Sequence, residues 1–260
     1  MNALRTPLLS KYKLKTVNTA HATVRYADAS ETLVRSFCDR IDISVDAICA
    51  YLHVVPPSAI DVRIVDRPRR SAASIAQRLV VVSASNLPHR TAICHELTHI
   101  LAGSGLDPHG ILDEGLPVHV QATLADATDL SFPTEGKALT EQTRSAMIQI
   151  GGRIPMTSTT SARIQGDARL RRLAYLQQGS FVRFLISNFG LERAMAVFRG
   201  ESGWAEAFAT SIETLECHWL KSLQIDQMGV RTIRPPTAEA DVADRRAIEP
   251  AQPAIRRDLD

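Results

Sequence analysis

The spacing of apolar side chains divides this chain near residue 89. Before that point, short alternating runs predict strands at 19–26, 60–65 and 78–83. In Ile60-Asp61-Val62-Arg63-Ile64-Val65 every second residue is aliphatic, the pattern of a strand with one face buried. Between the first two strands, Leu33, Val34, Phe37, Ile41, Val45, Ile48, Cys49 and Leu52 recur at three- and four-residue intervals. They predict an amphipathic helix from Ser30, a good N-cap, to about His53. Pro56-Pro57 closes it, and 67–73 reads as a polar loop.

From His89 onward the period is helical. Ile93, Leu97, Ile100 and Leu101 predict a buried helix with Asn86 as cap, Pro88 in the first turn and Gly103 as its stop. A Gly-rich loop over 103–110 follows, then a second helix to about Leu124. Further helices are expected at 140–151, 168–188, 191–198 and 202–223, separated by a polar connection at 128–135 and a Ser/Thr-rich stretch at 152–167. Beyond about Ile225 prolines sit among charged residues and alanine, a composition that reads as a disordered tail. The expected fold class is α+β, a small N-terminal sheet with a covering helix followed by a mainly helical half. The expected organisation is an N-terminal extension (1–18), an α/β part (19–88), a helical part of the same unit (89–225) and the tail (226–260).

The first helix after residue 89 carries His95-Glu96-Leu97-Thr98-His99. Positions i and i+4 project from one helix face about a turn apart, so the two imidazoles can grip one zinc ion at about 2.0–2.1 Å each. Glu96 points to the flank of that face and can reach a water on the metal. A catalytic zinc site wants a third protein ligand, and the nearest acids are Asp107, Asp113 and Glu114. A carboxylate at the start of the second helix can face back onto the first, which favours Glu114. Asp113 is suited to capping that helix, or to orienting a ligand histidine. His109 reads as a solvated loop histidine and His119 as a surface histidine or a substrate contact.

His95-Glu96-Leu97-Thr98-His99 followed by Asp113-Glu114-Gly115-Leu116 resembles the gluzincins of the peptidase MA-like group, zinc metallopeptidases with a thermolysin-like site. Gly152-Arg153-Ile154-Pro155, the helix from Tyr175 to Leu185 and the segment from Ala205 to Leu220 are similar to their downstream segments, so the likeness covers roughly 20–225. The resemblance implies a zincin-like fold and one zinc ion per chain held by His95, His99 and Glu114. It implies Glu96 as general base in the hydrolysis of peptide bonds, with a peptide or protein as substrate. Tyr175, on the helix similar to the family's third active-site helix, is the candidate donor to the oxyanion, and His218 is a weaker one. The strand at 78–83, directly before the zinc helix, is expected to border the cleft, with a free edge that can pair with an extended peptide.

Composition narrows the alternatives. The chain has 260 residues, 45% hydrophobic and 22% charged, with a net charge of +2, which is ordinary for a globular protein. Aromatics are 5% and no basic run interleaves with them, so nucleic-acid binding has no support. No apolar run reaches the length of a membrane span, and the first residues lack a secretory h-region. Cys38, Cys49, Cys94 and Cys217 have no metal-ligand spacing and read as reduced, mostly buried thiols, which points to the cytoplasm. Two other classes fit the motif: a regulatory cytosolic protease specific for one protein partner, and a zinc-holding interaction module with little turnover. The intact Glu96 argues against the module, because a structural site has no use for a base.

Overall fold

A computed structural model describes residues 14–27, 29–65, 71–89, 93–125, 132–225 and 230–233. The N-terminal part is a five-stranded mixed sheet in the order β1-β2-β3-β5-β4. Its strands are β1 (Lys15–Asn18), β2 (Ala22–Tyr26), β3 (Ile60–Val65), β4 (Ala72–Ser74) and β5 (Leu79–Ser83). The centre is parallel, with β2 against β3 and β3 against β5; the two outer strands, β1 and β4, run antiparallel to their neighbours. The crossover from β2 to β3 is the helix α1 (Glu31–Leu52), as a parallel pair requires.

The apolar alternation of β2 and β3 places Val24, Ile60, Val62 and Ile64 in the core against Val34, Phe37, Ile41, Val45 and Ile48 of α1. Leu33, expected on that buried face, is 42% exposed at its edge. Asp42 of α1 ties the turn into β2, accepting from the Thr19 hydroxyl (2.6 Å) and the backbone N–H groups of Ala20 and His21. Burial pushes the Asp42 carboxyl up, but these hydrogen bonds outweigh it and hold it below the usual carboxylate range.

The remainder is helical: α2 (Cys94–Ala102), α3 (Ile111–Leu124), α4 (Leu139–Ile150), α5 (Ala162–Gly166), α6 (Ala168–Phe189), α7 (Leu191–Phe198), α8 (Trp204–Phe208) and α9 (Ile212–Ser222). The architecture is the α+β arrangement expected from the pattern. Gly115 of α3 and Gly179 of α6 set the spacing of those two helices. A Cβ on Gly115 would stand 2.7 Å from Val182 Cγ2, and one on Gly179 only 2.2 Å from Val118 Cγ1. Backbone can approach backbone there only without side chains.

Several boundaries differ from the sequence expectation. Residues 15–18, assigned to an N-terminal extension, form the edge strand β1; one buried-facing residue, Val17, is too weak a pattern to reveal it. Residues 231–233, assigned to the tail, are docked. The strand β7 (Arg231–Thr232) pairs parallel with β6 (Gly152–Arg153), and Ile233 donates its N–H to the Arg153 carbonyl (2.7 Å). Ile233 packs where a side chain on Gly152 would be, 2.6 Å from that position. The rest of the expected tail, 226–229 and 234–260, and residues 1–13 lie outside the described residues. The single helix expected over 202–223 is broken at Ala209, which has φ 55°, and Ser211 caps the second piece.

The zinc-motif helix also begins later than expected. Asn86 belongs to a 3-10 turn (Ala84–Asn86), and α2 starts at Cys94 after Ile93, whose side chain makes no cap. Gly103 (φ 84°) does end it, donating its N–H to the His99 carbonyl. Asp113 is not the cap of α3; it sits inside the first turn. The cap is Asp107. Its carboxylate accepts from the N–H groups of His109 (3.0 Å), Ile111 (2.7 Å) and Leu112 (3.0 Å) and from Trp204 Nε1 (2.8 Å). Pro117 lies within α3, where its missing N–H leaves the Asp113 carbonyl without a helical donor.

Candidate metal centre

α2 packs against β4 and β5 of the sheet and against α3, and its face bearing His95 and His99 meets the first turn of α3. The three side chains converge. His95 Nε2 lies 3.1 Å from Glu114 Oε2, His99 Nε2 lies 3.3 Å from His95 Nε2, and His99 Nε2 lies 3.6 Å from the same Glu114 oxygen. All of these donor atoms fall within 4.8 Å of one another, and among the described residues this is the group of His, Cys, Asp and Glu side chains that could hold a metal ion. The rings of His95 and His99 stand edge to face, 5.0 Å apart at 76°.

The electrostatics of the group favour a cation. Burial pushes the Glu114 carboxyl up, but hydrogen bonds and charge from His95 and His99 outweigh it and hold it well below the usual carboxylate range. Burial pulls His99 down, and Glu114, helped by Glu96 and Asp113, more than reverses that. Two imidazole nitrogens 3.3 Å apart, both facing one carboxylate oxygen, cannot both present hydrogens to each other. A shared positive charge between them resolves the conflict. The donor set of two nitrogens and one carboxylate with a side open to the cleft fits zinc with a free position.

Glu96 is 9% exposed. Burial pushes its carboxyl up, the nearby His95 and His99 pull it back, and Glu114 adds to the rise; the net result is a base less acidic than an ordinary glutamate. Asp113 stands beside the site. Its Oδ1 is buried without a hydrogen-bond partner, and burial followed by the charges of Asp107 and Glu114 raises its pKa.

His95, Glu96, His99 and Glu114, but not Asp113, line a cleft of about 800 Å³. Tyr175 of α6 lines it, its ring 6.1 Å from that of His95. Ser71, Ala72, Ala73 and Ile75 line it as well. This corrects the expected role of the strand at 78–83. β5 is paired on both sides, with β3 and with β4, and the strand with the outer edge at the cleft is β4. Two alanines and a serine carry little strand signal, so β4 was hidden in the expected polar loop.

The other histidines go elsewhere. His119 is neither at the surface nor in the cleft. It is 5% exposed, its Nε2 lies 2.6 Å from the Tyr51 hydroxyl, and its Nδ1 is buried without a partner. Burial, with the charge of Arg183, lowers its pKa to about 4. His109 lies against Trp204, with ring centroids 6.4 Å apart, and His218 is exposed on α9. Sequence reasoning passed over Gln121 and Phe132, which also line the cleft. Gln121 had a signal: it follows Glu114 by seven residues, two helical turns, and so shares its face.

No protein-family model matches the chain, and no curated protein matches it. Solved structures do. An M1 zinc metallopeptidase from Deinococcus radiodurans superposes with a TM-score of 0.53 at 14% identity, over 86% of this chain and 53% of that one. A substituted form from the same organism, bound to a Tyr-Ser-Ala substrate, superposes at 0.50, again with 14% identity and the same coverage. The present chain thus spans about half the length of these neighbours. The likeness is one of fold.

Proposed function

We propose that this chain is a zinc-dependent metallopeptidase that hydrolyses peptide bonds, with one zinc ion held by His95, His99 and Glu114. The observation that carries the reading is the convergence of ligand atoms of those three side chains within 4.8 Å in a cleft, with a buried glutamate beside them. Bound by His95, His99 and Glu114, a zinc ion would supply Lewis acidity for the substrate carbonyl and for the attacking water. Glu96, with its pKa raised by burial, takes the proton from the attacking water and passes it to the leaving amine. Tyr175, lining the cleft near His95, donates its hydroxyl to the oxygen on which negative charge develops. The outer edge of β4 presents backbone groups to an extended peptide, which gives affinity without a demand on sequence. The likeness in fold to M1 zinc metallopeptidases supports the same reading.

Turnover of a quenched peptide library, with and without a zinc chelator, tests it. The reading expects cleavage that chelation abolishes and added zinc restores. Zinc-loaded protein that cleaves nothing in the library would leave a zinc-holding module as the better account.

A further inference from the structure

Phe132 lines the same cleft as the edge strand β4, and three residues hold it there. The Gln121 amide donates from Nε2 to its carbonyl oxygen (2.7 Å), fixing the backbone. The Arg172 guanidinium lies over its ring, 4.8 Å from the centroid, and is itself paired with Glu135. The Tyr175 ring meets it at 6.5 Å and 45°. Arg172 and Tyr175 are one helical turn apart on α6, so a single helix face brackets the ring. The same cleft is lined by Ala72 and Ala73, whose side chains are small, and by Ile75. Among the described lining residues the carboxylates are Glu96 and Glu114, both committed to the metal centre and its base.

We propose that Phe132 is a specificity-determining residue, the wall of a subsite that takes a large apolar side chain next to the scissile bond. This rests on the metallopeptidase reading. A fixed aromatic face in a cleft also lined by small residues rewards burial of apolar surface at about 25 cal/mol per Å², and the two committed carboxylates leave a basic side chain no free partner. Bracketing by Arg172, Tyr175 and Gln121 means the ring needs no ordering when substrate arrives. The discrimination available to such a wall, between large and small apolar side chains, is about 10–200-fold.

The test uses full-length, zinc-loaded protein silenced by Glu96→Gln, so that binding is read without turnover. Fluorescence anisotropy measures end-blocked, labelled peptides that differ only in having Phe, Leu or Ala at the two central positions. The Phe and Leu peptides should bind about tenfold or more tightly than the Ala peptide. Adding Phe132→Ala should bring that ratio close to one while zinc content and thermal midpoint stay put, and Phe132→Leu should preserve most of it. Peptides that bind with no preference, or a preference untouched by both variants, would overturn the subsite and leave the peptidase reading standing. If no peptide binds and unsilenced protein cleaves none, the peptidase reading fails, and the subsite falls with it.

Discussion

Helix α3 carries two polar clusters, one half-buried and one buried, and they are electrostatic opposites. At its first turn, Glu114 faces His95 and His99. Five residues on, His119 faces the Tyr51 hydroxyl, with the Arg183 charge acting on it. In the first cluster a carboxylate raises the affinity of its histidine for positive charge, so His99 titrates above the ordinary value despite its burial. In the second, burial and a neighbouring cation work together, and His119 stays neutral down to about pH 4. Buried histidine is therefore no mark of a metal site by itself. What separates the two is the sign of the charge that each imidazole faces.

The base beside the first cluster gives the largest expected effect. Glu96→Gln keeps the shape of the side chain and removes its ability to take a proton. Hydrolysis should fall by about 10²–10⁴-fold, with zinc content unchanged. Steady-state rates on the best library peptide measure this, and near-normal turnover would remove Glu96 from the mechanism.

The second cluster should reveal itself in stability against pH. The folded His119 titrates at about 4, and an unfolded histidine near 6.5. Between those values the unfolded chain binds more protons. The contribution of a neutral His119 is complete above 6.5 and is lost as pH falls toward 4. Between about pH 7.5 and about pH 5 this amounts to roughly 2 kcal/mol. His119→Gln can still accept from Tyr51 and does not titrate, so its urea-unfolding stability should decline less over the same interval. Parallel pH profiles for the two proteins would show that His119 is not held neutral.

Both clusters depend on where α3 lies against α6. Gly179→Ala places a methyl group 2.2 Å from Val118 Cγ1, so the helices must separate. Overpacking of this kind costs about 1–3 kcal/mol. The same displacement moves Glu114 relative to Tyr175, so activity should fall alongside stability. An unaltered melting temperature would mean that Val118 has room to yield.

The contrast between the clusters also explains what the sequence disclosed. His95, Glu96 and His99 were legible because one helix turn creates their geometry, and no tertiary contact is needed to bring them together. Glu114 was legible only as one of three nearby acids, since choosing among them requires the angle between two helices. Asp107 was legible only as one of those acids, since its bond to the Trp204 indole, 97 residues along the chain, is non-local. His119 looked like a surface residue because its partner, Tyr51, lies on α1, 68 residues earlier. The strands at 19–26 and 60–65 announced themselves by alternation. β4 and β7, three and two residues long, exist only because a neighbouring strand offers its edge. Phe132 had no signal, as its position depends on Gln121, Arg172 and Tyr175 meeting it from two helices.

The central claim is that Glu114 completes a metal site with His95 and His99. A chelator-competition titration of zinc against the unaltered protein, Glu114→Ala and Asp113→Ala measures it most directly. The unaltered protein should take up one zinc per chain. Glu114→Ala should lose most of its affinity, because two imidazoles alone leave the ion under-coordinated. Asp113→Ala should lose at most the roughly 10–100-fold expected of a residue that acts on the site from behind its ligands. A Glu114→Ala protein that holds zinc as tightly as the unaltered chain, while Asp113→Ala loses it, would contradict the account.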